Sequence, residues 1–223
     1  FLRATLALAL LAGGTAGAQA ERLIVSVSNH RVTVTPNYAG EELVLFGAIE
    51  RDATTPANRT NYDIVITVSG PRATMITFRK ERTFGIWINR ESREFINVPA
   101  YLSVMSNRPI ETVATAEVQR RQQLGLNNII LTQRVGADFA DVVAFVRLRT
   151  ERELYREGGN AVVFLTPNLF RTGIKLPEQV PIGVYEVDIK LFSGGALVTQ
   201  TQTAFEVVKV GFEQFVAETA RHN

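Results

Sequence analysis

The sequence predicts a mainly β protein, an immunoglobulin-like β-sandwich that carries a helical insertion of about two helices. Two observations predict the sandwich: many short segments alternate apolar and polar residues, and turns containing Gly, Pro or Asn separate them. A third observation predicts the insertion, because the character of the chain changes at Pro109 and helix-forming residues follow up to residue 157.

Residues 1–20 have the pattern of a secretory signal peptide. Arg3 precedes the apolar run 4–12, and Ala18-Gln19-Ala20 has the A-x-A form of a cleavage site. The apolar run is much shorter than the roughly 20 residues that a membrane-spanning helix needs. We therefore expect an exported protein whose mature chain begins near Glu21.

The first part of the sandwich is predicted over residues 21–108. The predicted strands are, in chain order, RLIVSVS, RVTVTP, ELVLFGAIE, YDIVITVSG, ATMITFRKER, IWI, EFINV and YLSV. Asn29-His30 and the segment 37–40 supply the first turns, and Gly70-Pro71 turns the chain between two later strands.

The helical insertion is predicted over residues 109–157. Pro109 suits the first turn of a helix, and the segment ETVATAEVQRRQQ that follows consists mostly of good helix formers. A second helix is expected to begin at Asp138, which can cap it together with Asp141 three residues later. We expect this second helix to end at Gly158-Gly159.

The last strands of the sandwich are predicted over residues 158–210. They are AVVFLTP, LFRTGIKLP, GVYEVDIKLF and ALVTQTQTAFEVVKV, with a tight hairpin at Ser193-Gly194-Gly195. The segment Gly183-Val184-Tyr185 resembles the tyrosine corner of immunoglobulin-like sandwiches, in which a phenol hydroxyl bonds to the backbone. We therefore expect Tyr185 to be buried.

Charge and cysteine content exclude several classes of protein. The chain has 24 basic and 22 acidic side chains, a formal net charge of +2. This near balance argues against a dedicated nucleic-acid binder, whose affinity depends on many uncompensated phosphate contacts. The absence of cysteine excludes disulfide bonds, cysteine nucleophiles and zinc sites built from thiolates.

One basic segment around the only tryptophan is the best candidate for an anion-binding or partner-binding surface. The candidate residues are Arg79, Lys80, Arg82, Arg90, Arg93 and Trp87. In one interpretation the arginines and the indole form a platform for an anion or for a partner's carboxylates. In the other, Trp87 packs on a face of the sandwich and the charges protect a hairpin edge. We favour a buried Trp87 with an exposed basic rim.

No set of residues indicates an active site, a metal site or a cofactor site. His30 is the only histidine outside the C-terminal tail, and neither H-x-x-x-H nor H-x-E spacing occurs. We expect His30 to occupy the turn between the first two strands. No G-x-S-x-G motif and no Gly-rich loop followed by Lys-Ser/Thr are present. The sequence therefore predicts a protein that is not an enzyme and binds no cofactor.

Several stretches together resemble one known family. They are SVSNHRVTVTPNYAGEELVLFGAIE, RKERTFGIWIN, VPAYLSVMSNRP, FVRLRTERELY, LFRTGIKLP and IGVYEVDIKLFSGG. This order resembles the alphaproteobacterial family of "putative transmembrane proteins" of unknown function. The resemblance implies an exported domain followed by one C-terminal membrane span, and a partner transporter that resembles sulfite exporters. It implies no catalytic residue.

The resemblance and the residues together predict a topology and a class of function. Residues 211–223 are expected to form a juxtamembrane helix or tail, and the expected span is missing after them, as in a fragment or a soluble variant. The leading hypothesis is a non-catalytic periplasmic interaction domain, tethered to the inner membrane and accessory to a transporter or envelope complex. The alternative is a periplasmic domain that binds a small ligand or anion through residues 79–93.

Overall fold

The computed structural model of the protein describes residues 21–51, 61–131 and 138–210. The side chain of Arg90 is not among the described parts. The predicted signal peptide, residues 1–20, and the predicted juxtamembrane segment, residues 211–223, lie outside the described residues.

The described residues form twelve strands and four helices. The strands are β1 (Glu21–Val27), β2 (Arg31–Val34), β3 (Glu41–Arg51), β4 (Tyr62–Ser69), β5 (Arg72–Thr83), β6 (Ile86–Pro99), β7 (Leu102–Ser106), β8 (Tyr155–Gly159), β9 (Val162–Thr166), β10 (Leu169–Leu176), β11 (Gly183–Ser193) and β12 (Ala196–Lys209). The helices are α1 (Ile110–Val113), α2 (Ala116–Arg121), α3 (Leu126–Leu131) and α4 (Phe139–Glu151). The mainly β fold class predicted from alternation is confirmed.

The strands form two large sheets and one separate hairpin. One sheet has the order β1-β3-β10-β9 and the other the order β2-β12-β11-β4-β7-β8, while β5 and β6 form a separate two-stranded sheet. Pairing is antiparallel except between β2 and β12 and between β7 and β8. The two large sheets form a sandwich, as predicted, and its immunoglobulin-like character stays a prediction.

The first hydrophobic core fills the space between the two large sheets. Alternate residues of β3, including Leu43 and Leu45, point into it together with Phe170 and Ile189. Gly47 occupies the next inward position of β3 because the ring of Phe170 lies where a Cβ would be, with Cζ only 2.1 Å from that point. The close approach of an aromatic ring therefore explains a glycine inside a strand.

A second hydrophobic core lies between the six-stranded sheet and the helices. Strand β4 borders both cores: Ile64 and Ile66 face the first, whereas Val65 belongs to the second. Such two-sided burial explains why the segment YDIVITV is almost continuously apolar instead of alternating. The helices pack on this second face through Ile130 and Phe145, among others.

The helical region contains four short helices among the described residues, rather than about two. The segment predicted as the first helix forms α1 and α2, separated at Ala114, whose φ and ψ of −150° and 158° are those of extended backbone. Thr115 then caps α2, because its side chain accepts a hydrogen bond from the backbone nitrogen of Val118. Gln123, with a positive φ of 54°, follows the end of α2.

The last helix begins as predicted but ends earlier. The carboxylate of Asp138 accepts a hydrogen bond from the backbone nitrogen of Asp141 at 2.9 Å, which caps α4. The helix ends at Glu151, seven residues before Gly158. Tyr155 is buried in the second core, and the segment that contains it forms β8, which pairs in parallel with β7. Burial of this side chain overrides the local helical tendency.

Tyr185 is buried and its hydroxyl donates a hydrogen bond to the carbonyl oxygen of Pro181 at 2.6 Å. This confirms the predicted burial and the bond to backbone four residues upstream. Replacing Tyr185 by Phe is expected to lower the free energy of unfolding by about 1 kcal/mol, because the partly buried hydrogen bond to the Pro181 carbonyl is lost. Chemical denaturation of the two proteins measures this difference.

Tyr38 provides a matched control for Tyr185→Phe. Its hydroxyl is also buried but has no hydrogen-bond partner among the described residues. Tyr38→Phe removes the same oxygen without breaking a bond, so we expect stability to be unchanged or slightly raised. An equal loss of stability in both variants would contradict the role assigned to the Tyr185 hydroxyl.

Candidate functional site

Strands β5 and β6 form a two-stranded hairpin, here called the arm (residues 72–99). The segment predicted as two short strands, IWI and EFINV, is one continuous strand because it pairs with β5 along nearly its whole length. Two register shifts interrupt this pairing, between Ala73 and Met75 and between Arg79 and Lys80. A long β-ribbon with bulges of this kind is strongly twisted.

The root of the arm is fixed to the body of the protein by packing and by one ion pair. The rings of Phe95 and Phe145 stack with centroids 4.2 Å apart, and both side chains are buried. Arg93 donates a hydrogen bond from Nε to the carboxylate of Asp141 at 2.9 Å and from Nη2 to that of Glu91 at 3.1 Å. These bonds raise the pKa of the Arg93 guanidinium.

The turn at the end of the arm has an unusual residue. Thr83 pairs with Ile86, so that Phe84 and Gly85 form a two-residue loop with φ values of 49° and 85°. Such turns favour Asn or Gly at both positions, since side chains rarely adopt a positive φ. A left-handed backbone costs about 1–2 kcal/mol for a residue with a Cβ. The side chain of Phe84 is 101% exposed, so packing within the described protein does not offset this cost.

The arm exposes a large part of the protein's apolar surface. Seven of the 18 exposed large hydrophobic residues in the described part of the chain belong to it: Ile76, Phe78, Phe84, Ile86, Trp87, Ile88 and Ile96. Soluble monomeric proteins seldom keep apolar side chains grouped in this way unless another surface covers them. The arm is therefore the candidate interaction site.

The prediction that Trp87 is buried is wrong. Its side chain is 65% exposed rather than buried, because the described structure places no second layer over either face of the distal arm. The alternation of a strand shows which residues share a face, but not whether that face is covered. Phe84 and Phe78 were not predicted as site residues, although Gly85 between two strands is a turn signal in the sequence.

The predicted basic residues do not converge on one point. Lys80 and Arg82 share an exposed face of the arm, with Arg82 directly opposite Trp87, whereas Arg79 lies on the other face opposite Glu91. Arg93, at the root of the arm, is paired with Asp141 of α4 and with Glu91. Arg90 lies at the second register shift, and its side chain is outside the described parts.

His30 lies in the turn between β1 and β2, as predicted, and its Nδ1 is 3.2 Å from the carbonyl oxygen of Ala204. Within residues 21–51, 61–131 and 138–210, no three His, Asp or Glu side chains cluster closely enough to hold a metal ion.

Apart from the arm, an open cleft of about 820 Å³ lies beside β4 and α1. Asp63 is buried at its wall and accepts hydrogen bonds from Arg108 Nε at 2.6 Å, Arg108 Nη2 at 2.5 Å and Asn107 Nδ2 at 3.1 Å. This pairing raises the pKa of the Arg108 guanidinium. The charges of Asp63 and Arg108 thus satisfy one another, which is typical of a structural ion pair.

A protein family described as "Putative transmembrane protein" matches residues 22–223 of the chain. The chain belongs to this family. The matched residues include the four helices and the whole arm, so the candidate site lies within the matched region. A comparison with curated proteins gave no match. Among the described residues of this family member, no helix is long and apolar enough to cross a membrane.

Proposed function

We propose that this chain is a non-catalytic interaction domain of the bacterial envelope. It is exported, held on the periplasmic side of the inner membrane, and accessory to a transporter or another envelope complex. The observation that carries this proposal is the exposed apolar and basic surface of the arm. An inner-membrane transporter resembling sulfite exporters is the first candidate partner.

The outer face of the arm has the composition of a protein–protein contact. Ile76, Phe78, Lys80, Arg82 and Trp87 lie along this face, and all five are exposed. Aromatic residues and arginine are enriched where interfaces contribute most to affinity, and lysine side chains at their margins steer charged partners. The bond of Arg93 to Asp141 and the stacking on Phe145 hold this face in one orientation, which lowers the entropic cost of association.

Two features support the proposed location. The family is described as transmembrane, and residues 1–20 have the charged, apolar and A-x-A parts of a secretory signal. An exported domain tethered at the membrane would hold the arm within reach of integral membrane proteins.

Anion binding by the same residues is supported less well. An anion site requires cations that converge on one point, ideally in a concave and partly desolvated place. Arg79 faces away from Lys80 and Arg82, and Arg93 is neutralised by Asp141 and Glu91. A contact surface spread along the ribbon fits this arrangement better than a ligand pocket.

Site-specific photocrosslinking in intact cells tests the proposed function. A photoreactive phenylalanine analogue at Phe78, on the outer face of the arm, is expected to form one defined adduct with an inner-membrane protein. The matched control is the same analogue at Phe46, an exposed residue of β3 in the four-stranded sheet. If no adduct forms at Phe78, or if the same adduct forms at both positions, the arm is not the surface that contacts the inner-membrane protein.

Charge reversal on the arm is expected to weaken this contact without unfolding the protein. Arg82→Glu should reduce the yield of the Phe78 adduct, and the reduction should shrink as salt is added, since screening weakens exposed charges. Arg171→Glu, at an exposed position of β10 away from the arm, is the matched control. Equal yields of the Phe78 adduct in the parent protein, Arg82→Glu and Arg171→Glu would show that the charge of Arg82 has no part in the contact.

A further inference from the structure

The end of the arm is apolar on three sides. Phe84 stands at the apex, Trp87 lies on one face of the ribbon, and Ile86 and Ile88 lie on the other. All four side chains are exposed. We call residues 84–88 the tip. A shallow groove on a protein covers one face of a ribbon, whereas a lipid layer that surrounds the tip covers both faces and the apex at once.

The apex residue is in a conformation that the fold itself does not need. Phe84 has a positive φ of 49° and is fully exposed, and a Cβ at the neighbouring Gly85 would meet nothing within 4 Å. Asn or Gly would form the same turn with less strain. A strained and exposed aromatic side chain is a feature that function explains more readily than stability does.

Positive charge lies beside and behind the tip, since Arg82 is directly opposite Trp87 and Lys80 lies two residues farther from the turn. Residues 79–90 contain four basic residues, Arg79, Lys80, Arg82 and Arg90, and one acidic residue, Glu81. Among the described residues, Lys80 and Arg82 have no ion-pair partner, and both are exposed. Apolar aromatic residues followed by basic residues match the order of acyl chains and anionic headgroups in a lipid monolayer.

We propose that the tip inserts into the interfacial region of an anionic lipid bilayer, with Lys80 and Arg82 on the lipid phosphates. This inference rests on the proposed location of the domain at the periplasmic side of the inner membrane. It adds a lipid surface at the tip to the proposed protein partner, which the outer face of the arm contacts at Ile76 and Phe78, closer to the root.

The dimensions of the tip agree with shallow insertion. Ile88 pairs with Glu81, so that it lies three residues from the turn, or roughly 10 Å from the apex at about 3.3 Å per residue. Interfacial elements bury their apolar side by about 5–10 Å. The ribbon is not closed, and its edge N–H and C=O groups would be unsatisfied in hydrocarbon. Insertion therefore stops at the level of Arg82 and Trp87, from where the long arginine side chain can reach the phosphates.

Trp87 reports on this contact directly because it is the only tryptophan in the chain. The protein, purified after export, is mixed with vesicles of phosphatidylglycerol and phosphatidylethanolamine or with vesicles of phosphatidylcholine. With the anionic vesicles we expect the emission to shift to the blue and to be quenched by lipids brominated near the headgroup. Neutral vesicles should leave it nearly unchanged, and inorganic phosphate alone should have no effect.

Variants separate insertion from folding. Phe84→Asn is expected to keep or raise the melting temperature, because Asn suits the positive φ, while it abolishes the blue shift with anionic vesicles. Arg82→Gln should weaken vesicle binding by about fivefold, the loss expected for one cation near an anionic surface. Phe139→Asn is the matched control, since Phe139 is an exposed phenylalanine on α4 and not on the arm. It should bind vesicles like the parent protein.

An unchanged Trp87 emission with anionic vesicles would overturn the inference, as would full binding by Phe84→Asn. A photoreactive residue at position 86 that crosslinks in cells to protein and not to lipid would overturn it as well. The Phe78 adduct and vesicle binding together distinguish failure of lipid insertion from failure of the proposed protein contact. A Phe78 adduct with a membrane protein that persists without lipid binding rejects insertion alone. Lipid binding without any Phe78 adduct rejects the protein partner alone.

Discussion

Replacing Phe145 by alanine is expected to lower the free energy of unfolding by about 3–5 kcal/mol. Phe145 is buried in the second core, where its ring stacks on Phe95 at 4.2 Å and meets Tyr155 edge-on at 5.8 Å. Alanine removes both contacts and leaves a cavity that rigid neighbouring strands cannot close. Because Phe95 belongs to the root of the arm, the same change should also loosen the arm relative to the body.

Two measurements check this prediction. Chemical denaturation gives the loss of stability, and hydrogen exchange of the arm's backbone amides reports the loosening. Phe139→Ala is the matched control, because Phe139 belongs to the same helix α4 but is 58% exposed. It should change stability by no more than about 0.5 kcal/mol. A small effect at Phe145, or a large one at Phe139, would contradict the assignment of the second core.

Raising the pH above 10 is expected to unfold the domain steeply, because buried tyrosines hold their protons in the folded state. Tyr101, Tyr155 and Tyr185 are buried, and each hydroxyl donates a hydrogen bond to a backbone carbonyl. Burial raises the pKa of Tyr101 to about 12, and it raises the pKa values of Tyr155 and Tyr185 as well. The pKa values of Tyr38 and Tyr62 are raised in the same direction, again chiefly by burial.

The direction of the pH effect follows from which state loses protons first. A tyrosine in the unfolded chain ionises near pH 10, whereas Tyr101 in the folded protein ionises near pH 12. The stabilisation is therefore complete below pH 10 and is lost as the pH rises through the folded pKa values. Each such tyrosine changes stability by about 1.4 kcal/mol per pH unit in this window, so three together change it by about 4 kcal/mol per unit. Domains of this size have total stabilities of about 5–15 kcal/mol.

Alkaline titration followed by circular dichroism measures the effect, and we expect a cooperative transition above about pH 11. Tyr101→Phe removes one of the three groups, so its stability should fall about one third less steeply with pH than that of the parent protein. A gradual ionisation of all tyrosines near pH 10 without loss of structure would show that the three hydroxyls are not shielded in the way described.

Much of the fold could be predicted because its signals are local. The alternation in RLIVSVS and ELVLFGAIE predicted β1 and β3, and Gly194-Gly195, both with positive φ, forms the predicted hairpin between β11 and β12. Tyr185 and the cap at Asp138 were predicted from short motifs and are confirmed. In each case, residues within a few positions of one another provide the interaction that defines the structure.

Other features could not be predicted because distant residues decide them. The segment after Arg152 forms β8 instead of continuing α4, since Tyr155 packs in the second core with Phe95 and Leu102. The predicted first helix divides at Ala114 for a related reason, because Ile110 and Val113 pack into that core. Local helix propensity is weak compared with the burial of large side chains.

The candidate site shows the same division most clearly. The sequence by itself determined that residues 79–93 combine tryptophan and arginines on a strand pair, and that Lys80 and Arg82 share a face. Only the tertiary structure decided that Trp87 is exposed and that Phe84 forms an unpacked apex. The physical reason is that alternation assigns each side chain to a face of its strand. Whether that face meets a second layer or solvent depends on how the remote segments pack, and here they leave the distal arm uncovered among the described residues.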